Sequence, residues 1–80
     1  MSEISPDHVL DARNLSCPLP LMKTVKEMRK IEEGKILEVL STDPGSLVDI
    51  PKWAEKMGHK VLKAKKEGEV VKVCIRKRSH

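Results

Sequence analysis

The chain has 80 residues, 39% of them hydrophobic and 35% charged, a composition typical of one folded domain rather than of a disordered segment. It contains no apolar run long enough to span a membrane, and its N-terminus lacks the basic and apolar regions of a signal peptide. The net charge of +4 favours acidic partners, but Trp53 is the single aromatic residue and cannot form a base-stacking platform. We therefore expect a cytoplasmic protein that contacts no membrane and does not bind nucleic acid directly.

The first half of the chain predicts a leader, a strand, a helix and a second strand. Residues 1–7 are expected to be a flexible leader, and residues 8–78 a single domain. A short apolar run predicts a strand over residues 9–13. Residues 18–32 show helical periodicity, and Gly34 stands where a C-terminal cap is expected. The predicted buried stripe of this helix consists of Leu21, Val25 and Met28, flanked by Met22 and Ile31.

A turn-rich segment, residues 42–46, follows a strand predicted over residues 35–41. Either Asp43 or Ser46 can cap the helix that follows, which we expect to reach Met57 and to end at Gly58. Pro51 should end or bend its first turn. The predicted buried stripe of this second helix consists of Leu47, Ile50, Ala54 and Met57.

Two more strands complete the predicted order βαβαββ. They cover residues 60–66 and 70–77, joined by a hairpin at residues 67–69. Strand–helix–strand steps favour parallel pairing through right-handed crossovers, whereas the last hairpin is antiparallel. Two helices can cover only one face of four strands. The sequence therefore predicts an α/β (α+β) two-layer sandwich, with a four-stranded mixed sheet and both helices on one face.

Cys17 lies between the first strand and the first helix, in the segment Leu15-Ser16-Cys17-Pro18-Leu19-Pro20. Prolines are tolerated in the first turn of a helix, where backbone N–H groups have no intrahelical partner. A thiol at this end of a helix is expected to ionise more easily, because of the helix dipole, the Leu19 and Leu21 amides and nearby cations. The pattern indicates a reactive thiol held on a stiff backbone.

Several short blocks stand in a distinctive order and spacing: Leu10-Asp11, Cys17-Pro18-Leu19-Pro20, Gly34, Thr42-Asp43-Pro44 and Asp49-Ile50-Pro51. By these blocks the chain resembles the small sulfur-carrier proteins of the TusA/SirA family over residues 8–78. Asn14 departs from the family pattern, where glycine is common, but asparagine tolerates positive φ best among the other residues.

The resemblance implies a sulfurtransferase that carries sulfane sulfur as a persulfide on Cys17, supported by Pro18, Pro20 and Asp11. It implies a donor protein, a cysteine desulfurase or a rhodanese-like protein, and an acceptor protein of a sulfur relay, with no cofactor. Transfer RNA thiolation, molybdenum-cofactor assembly and sulfur oxidation all use this chemistry. Whether such a carrier turns over by itself stays open.

Several side chains near Cys17 are candidates for supporting roles. Asp11 can act as a general base or, as we favour, as a hydrogen-bond acceptor that stabilises the turn. Arg13 can lower the pKa of the thiol. A partner that reaches Cys17 must also meet the start of the helix, so the predicted partner-binding residues are Arg13, Met22, Lys23 and Lys26.

The remaining reactive side chains are predicted to be structural. Cys74 lies in a strand, opposite the predicted core face. The three histidines are not spaced as metal ligands with either cysteine, and we expect no metal site. The alternative to a sulfur carrier is a non-enzymatic regulatory or nucleic-acid-associated module that uses the basic helix face. Salt-sensitive nucleic-acid binding that survives the loss of the Cys17 thiol would favour that alternative.

Overall fold

A computed structural model describes residues 5–16 and 18–78 of the chain. The observed order is βαβαββ, as predicted, and most boundaries differ from the expected ones by only one or two residues. Most of the predicted leader lies outside the described residues, but Asp7 is bonded to Ile36 through its backbone N–H and through one carboxylate oxygen, each at 2.9 Å. The elements are β1 (His8–Ala12), α1 (Leu19–Lys30), β2 (Ile36–Ser41), α2 (Ser46–Lys56), β3 (Lys60–Glu67) and β4 (Val70–Arg76).

The sheet has the strand order β1-β2-β4-β3. As predicted, β1 pairs with β2 in parallel and β3 with β4 in antiparallel. The expected parallel pairing after the second helix is wrong, because β4 inserts between β2 and β3 and pairs with both. The composition explains this arrangement: β4 carries the apolar run of a central strand, whereas the lysines of β3 suit a sheet edge, which charged side chains protect from further pairing.

Both helices cover the same face of the sheet, which confirms the predicted sandwich. The core lies between the layers and is formed by alternate residues of the central strands, together with one side of each helix. Since strand side chains point alternately to the two faces, the opposite face is left uncovered. The fully buried large side chains of the core include Met28, Leu37, Val39, Ile50, Val71, Val73 and Ile75.

The buried side of α1 is rotated from the predicted stripe. Pro20, Thr24 and Met28 are buried in the helix, whereas Leu21 and Val25 are only half-buried. The Thr24 hydroxyl donates to the Pro20 carbonyl at 2.8 Å, so a polar side chain is accommodated in the core by bonding one turn back. The helix ends earlier than predicted. Ile31 is its C-cap, and the expected cap Gly34, with φ +83, lies in the turn before β2.

The predictions for α2 need three corrections. Gly45 is its N-cap and no side chain caps the helix; Ser46 instead shares a buried hydrogen bond with the Ser41 hydroxyl at 2.9 Å. The helix continues through Pro51. Met57, predicted to be buried, is the C-cap and is 43% exposed, since the chain turns at Gly58, whose φ is +87.

Residues after β4 bond to the C-terminal ends of both helices. The Lys77 ammonium donates to the Ile31 carbonyl at 2.8 Å, and the Arg78 guanidinium donates to the Met57 carbonyl at 3.1 Å. The His59 ring accepts the Arg78 backbone N–H at Nδ1, at 3.0 Å. Cations are favourable at this end of a helix, where backbone carbonyls lack intrahelical donors.

Candidate functional site

The loop between β1 and α1 contains the Cys-Pro-Leu-Pro segment. Cys17 itself lies outside the described residues, but the residues on either side are described. The Ser16 carbonyl accepts the Leu19 N–H at 2.9 Å, and the Pro18 carbonyl accepts the Met22 N–H at 3.0 Å. Ser16 and Leu19 are therefore joined by a turn-type hydrogen bond at the start of α1.

The turn changes one part of the expected electrostatics at the thiol. The Leu19 amide was predicted to favour the thiolate, but its N–H is already bonded to the Ser16 carbonyl. Pro18, the N-cap of α1, and Pro20 in its first turn have no N–H to donate. Of the expected contributions to stabilising a Cys17 thiolate, the helix dipole, the Leu21 amide and nearby cations therefore remain.

Asp11 and Arg13 form a bidentate ion pair at the end of β1. The Arg13 Nε and Nη2 atoms donate to the two carboxylate oxygens at 2.8 and 2.9 Å, and the Arg13 backbone N–H donates to Oδ1 at 3.1 Å. These bonds lower the pKa of the Asp11 carboxyl to about 2. The geometry favours the turn-stabilising role of Asp11, because a carboxylate with so low a pKa is a weak general base at neutral pH. The same ion pair engages the charge of Arg13, the residue expected to lower the pKa of the thiol.

The next residue, Asn14, adopts φ +68, in agreement with the expectation that asparagine replaces a glycine at a left-handed position. Its backbone N–H donates to the Thr42 hydroxyl oxygen at 2.9 Å, across 28 residues of sequence. This bond joins the loop that contains Cys17 to the loop that follows β2. Thr42 was not among the predicted site residues, because neither composition nor periodicity reveals a contact between two loops.

The exposed side of α1 brings three of the predicted partner-binding residues together. Met22 is 57% exposed, and Lys23 and Lys26 are exposed next to it. They line a shallow concavity of about 540 Å³. The sequence analysis missed Leu19, which lines the same concavity and is 43% exposed. The α1 surface, as we call it, has an apolar floor and a basic rim and consists of Leu19, Leu21, Met22, Lys23, Val25, Lys26 and Arg29.

Cys74 lies on the uncovered face of the sheet, as the strand alternation predicted, yet only 1% of it is exposed. Its Sγ atom lies 3.8 Å from an oxygen of Glu38, the residue opposite it on β2. Burial raises the pKa of the Cys74 thiol, and the Glu38 carboxylate adds to the effect. A buried thiol that ionises only at high pH is a poor nucleophile, which is consistent with the predicted structural role.

Within residues 5–16 and 18–78, no helix is long and apolar enough to span a membrane.

Comparison with known proteins gives a consistent result. The family model for sulfurtransferase TusA matches residues 8–77. The sulfur carrier protein TusA of Pseudomonas putida is 37% identical over 79 residues, which cover 99% of each chain. The crystal structure of a SirA-like protein from Desulfitobacterium hafniense superposes with a TM-score of 0.77 at 26% identity, covering 90% of this chain and 99% of that one.

Some relatives are considerably longer than this chain. A protein of Aquifex aeolicus, provisionally named a sulfur carrier, is 46% identical over 79 residues, which cover 99% of this chain but only 40% of that protein. The chain likewise spans 37% of the length of YrkF from Bacillus subtilis, another protein with a provisional name of this kind. The part shared by short and long relatives is the βαβαββ unit described above. By its family match, its relatives and its fold, the chain belongs to the TusA family of sulfur carrier proteins.

Proposed function

We propose that this sulfur carrier holds its sulfur as a persulfide on Cys17. Membership of the TusA family supports the carrier role. The observation that carries the assignment to Cys17 is the contrast between the two cysteines. Cys74 is buried beside a carboxylate, whereas the residues on either side of Cys17, Ser16 and Pro18, are both exposed.

The proposed chemistry is a pair of thiol–persulfide exchanges. The Cys17 thiolate attacks the outer sulfur of a donor persulfide; one S–S bond forms, the donor S–S bond breaks, and the donor leaves as a thiolate. In the second exchange, an acceptor thiolate attacks the outer sulfur of the Cys17 persulfide and releases the Cys17 thiolate. Neither exchange needs an oxidant or a reductant, because the oxidised sulfur moves from one thiol to the next.

We propose a cysteine desulfurase or a rhodanese-like protein as the donor and a protein of a sulfur relay as the acceptor, in the cytoplasm. The α1 surface supports docking of such partners. It begins at Leu19, two residues after Cys17, and combines an apolar floor with the charges of Lys23, Lys26 and Arg29. This combination fits a partner with an apolar anchor surrounded by acidic side chains.

The charge of the α1 surface can be tested separately from the chemistry of the thiol. Replacing Lys23 and Lys26 by Glu should slow transfer from a cysteine desulfurase, and high salt should slow the wild type towards the same rate. Both lysines are exposed, so folding should change little. Alkylation of Cys17 by iodoacetamide, a neutral reagent, should fall much less. An equal loss in both assays would contradict docking, because it would place the effect on the thiol itself.

The role of Cys17 can be tested by following sulfur into and out of the protein. The protein is incubated with a cysteine desulfurase and radiolabelled cysteine, and label bound to each variant is measured before and after addition of an excess acceptor thiol. Wild type and Cys74→Ser should take up label and release it to the acceptor. Cys17→Ser should take up none. Equal loading of Cys17→Ser and wild type would overturn the proposal.

A further inference from the structure

A single hydrogen bond connects the loop that contains Cys17 to its neighbouring loop. Strands β1 and β2 are parallel, with Ala12 opposite Ser41, so the loops that follow them leave the sheet at the same edge. At this edge the Asn14 backbone N–H donates to the Thr42 Oγ1 atom at 2.9 Å. Among residues 5–16 and 18–78, it is the one side-chain hydrogen bond that links residues 13–18 to a part of the chain other than β1.

The acceptor side of this bond is firmly held. Ser41, the residue before Thr42, is fully buried, and its hydroxyl lies 2.9 Å from the hydroxyl of Ser46 at the start of α2. The Asp43 backbone N–H donates to the same Ser41 oxygen at 3.1 Å. The residues on either side of Thr42 are therefore both held in place. Ser41, in β2, is bonded through its hydroxyl to Ser46 of α2, and Asp43 is bonded to the same Ser41 hydroxyl.

The conformation of Asn14, which donates this hydrogen bond, depends on it more strongly than the conformation of Thr42 does. Asn14 has a left-handed backbone with φ +68, a conformation that asparagine tolerates better than other non-glycine residues but that still costs more than at glycine. The nearby Asp11–Arg13 ion pair is about half exposed on both sides, and exposed ion pairs contribute little to stability. The Thr42 hydroxyl supplies the long-range hydrogen bond at Asn14, three residues before Cys17, while Leu15 on the other side of the turn packs against the core.

We infer that Thr42 is a positioning residue for sulfur transfer: its hydroxyl holds the Asn14 turn and thereby fixes how Cys17 is presented to a partner. This inference rests on the proposed function of Cys17. Thr42 does not act on the sulfur. Without the bond, the loop samples more conformations, and only a fraction of them match a partner that docks on the α1 surface.

Two substitutions separate the hydroxyl from the shape of the side chain. Thr42→Val keeps the branched shape and removes the acceptor, whereas Thr42→Ser keeps the acceptor. With Thr42→Val, the second-order rate constant for sulfur uptake from a cysteine desulfurase should fall by about three- to tenfold, the range that corresponds to one hydrogen bond. Thr42→Ser should stay close to wild type. Alkylation of Cys17 by iodoacetamide should change by less than the transfer rate.

Amide hydrogen exchange supplies a readout that does not depend on sulfur. The Asn14 amide should exchange faster in Thr42→Val than in wild type and should keep its protection in Thr42→Ser. Ile75→Val serves as a control for stability, because it removes one buried methyl group from β4 and leaves both loops unchanged. It should lower the urea midpoint of unfolding without slowing transfer.

Any of the following would overturn the inference: transfer by Thr42→Val at the wild-type rate, transfer by Thr42→Ser as slow as by Thr42→Val, or unchanged exchange of the Asn14 amide in Thr42→Val. Slowing by Ile75→Val as large as that by Thr42→Val would also overturn it, since stability alone would then explain the loss. Failure of wild type to accept sulfur would instead contradict the proposed function, and the exchange data would still show whether Thr42 holds the loop.

Discussion

Two methionines of α1 give a matched test of how this helix faces the core and a partner. Met28 is 2% exposed in the core, whereas Met22 is 57% exposed on the α1 surface. Met28→Ala should lower the free energy of unfolding by about 2–4 kcal/mol. The cost of losing buried apolar area is increased by the cost of the cavity that the substitution leaves in the core. Met22 buries less than half of its surface, so Met22→Ala should cost about 1 kcal/mol or less.

Urea unfolding followed by Trp53 fluorescence measures both changes. A domain of this size has a total stability of about 4–12 kcal/mol, so the predicted loss in Met28→Ala is a large part of the total. The two variants should also differ in function. The Met22→Ala variant should stay folded and transfer sulfur from a protein donor more slowly, because the substitution removes an apolar side chain from the floor of the α1 surface. Equal destabilisation by the two substitutions would refute the assigned orientation of α1. Unchanged transfer by Met22→Ala would remove this residue from the docking surface.

Three further predictions concern other parts of the fold. In the folded protein under native conditions, Cys74 should react with iodoacetamide far more slowly than Cys17, since burial raises its pKa; comparable rates would contradict the contrast between the two thiols. Gly58→Ala should cost about 1–2 kcal/mol because of φ +87, and Gly45→Ala, at φ −63, should cost less; urea midpoints compare them. The pKa of His59 is lowered by burial and by the charges of Arg78 and Lys77, so wild type should lose stability as the pH falls from about 7.5 to about 5, and His59→Gln should lose less over this range.

The sequence was sufficient to predict most of the architecture, because the periodicity of each element is clear. Alternation in β4 places Val71, Val73 and Ile75 on the core face, and all three are buried. The position of β4 between β2 and β3 was not predicted. A local strand–helix–strand pattern does not reveal that a later strand, β4, lies between the two strands that the helix connects. The many lysines of β3 are nevertheless a signal that β3 lies at an edge of the sheet.

The orientation of α1 was harder to predict for a physical reason. Apolarity suggested that Leu21 and Val25 face the core, but Thr24 is buried there with its hydroxyl bonded within the helix. A side chain that satisfies its own hydrogen bond can replace an apolar one in a core position. Leu21, which still packs partly against the core, and the half-buried Val25 also line the α1 surface, where they are available to a partner.

The candidate site was predictable only where its residues are close in sequence. The Cys-Pro-Leu-Pro segment indicates a reactive thiol at a helix start, and the left-handed conformation of Asn14 was expected because the family commonly has glycine there and asparagine tolerates positive φ. The bidentate geometry of Asp11 and Arg13, two residues apart, favours the acceptor role over general base catalysis. The bond from Asn14 to Thr42 required the fold, because it depends on the parallel register of β1 and β2.

Peptide mass spectrometry after exposure to a sulfur donor tests the central claim most directly. The protein is incubated with a cysteine desulfurase and cysteine, the remaining thiols and persulfides are alkylated, and the peptides that contain Cys17 and Cys74 are analysed separately. We predict the added mass of one sulfur atom on the Cys17 peptide and its disappearance after an acceptor thiol is added. Added sulfur confined to the Cys74 peptide, or sulfur on Cys17 that no acceptor thiol removes, would contradict a carrier that works through Cys17.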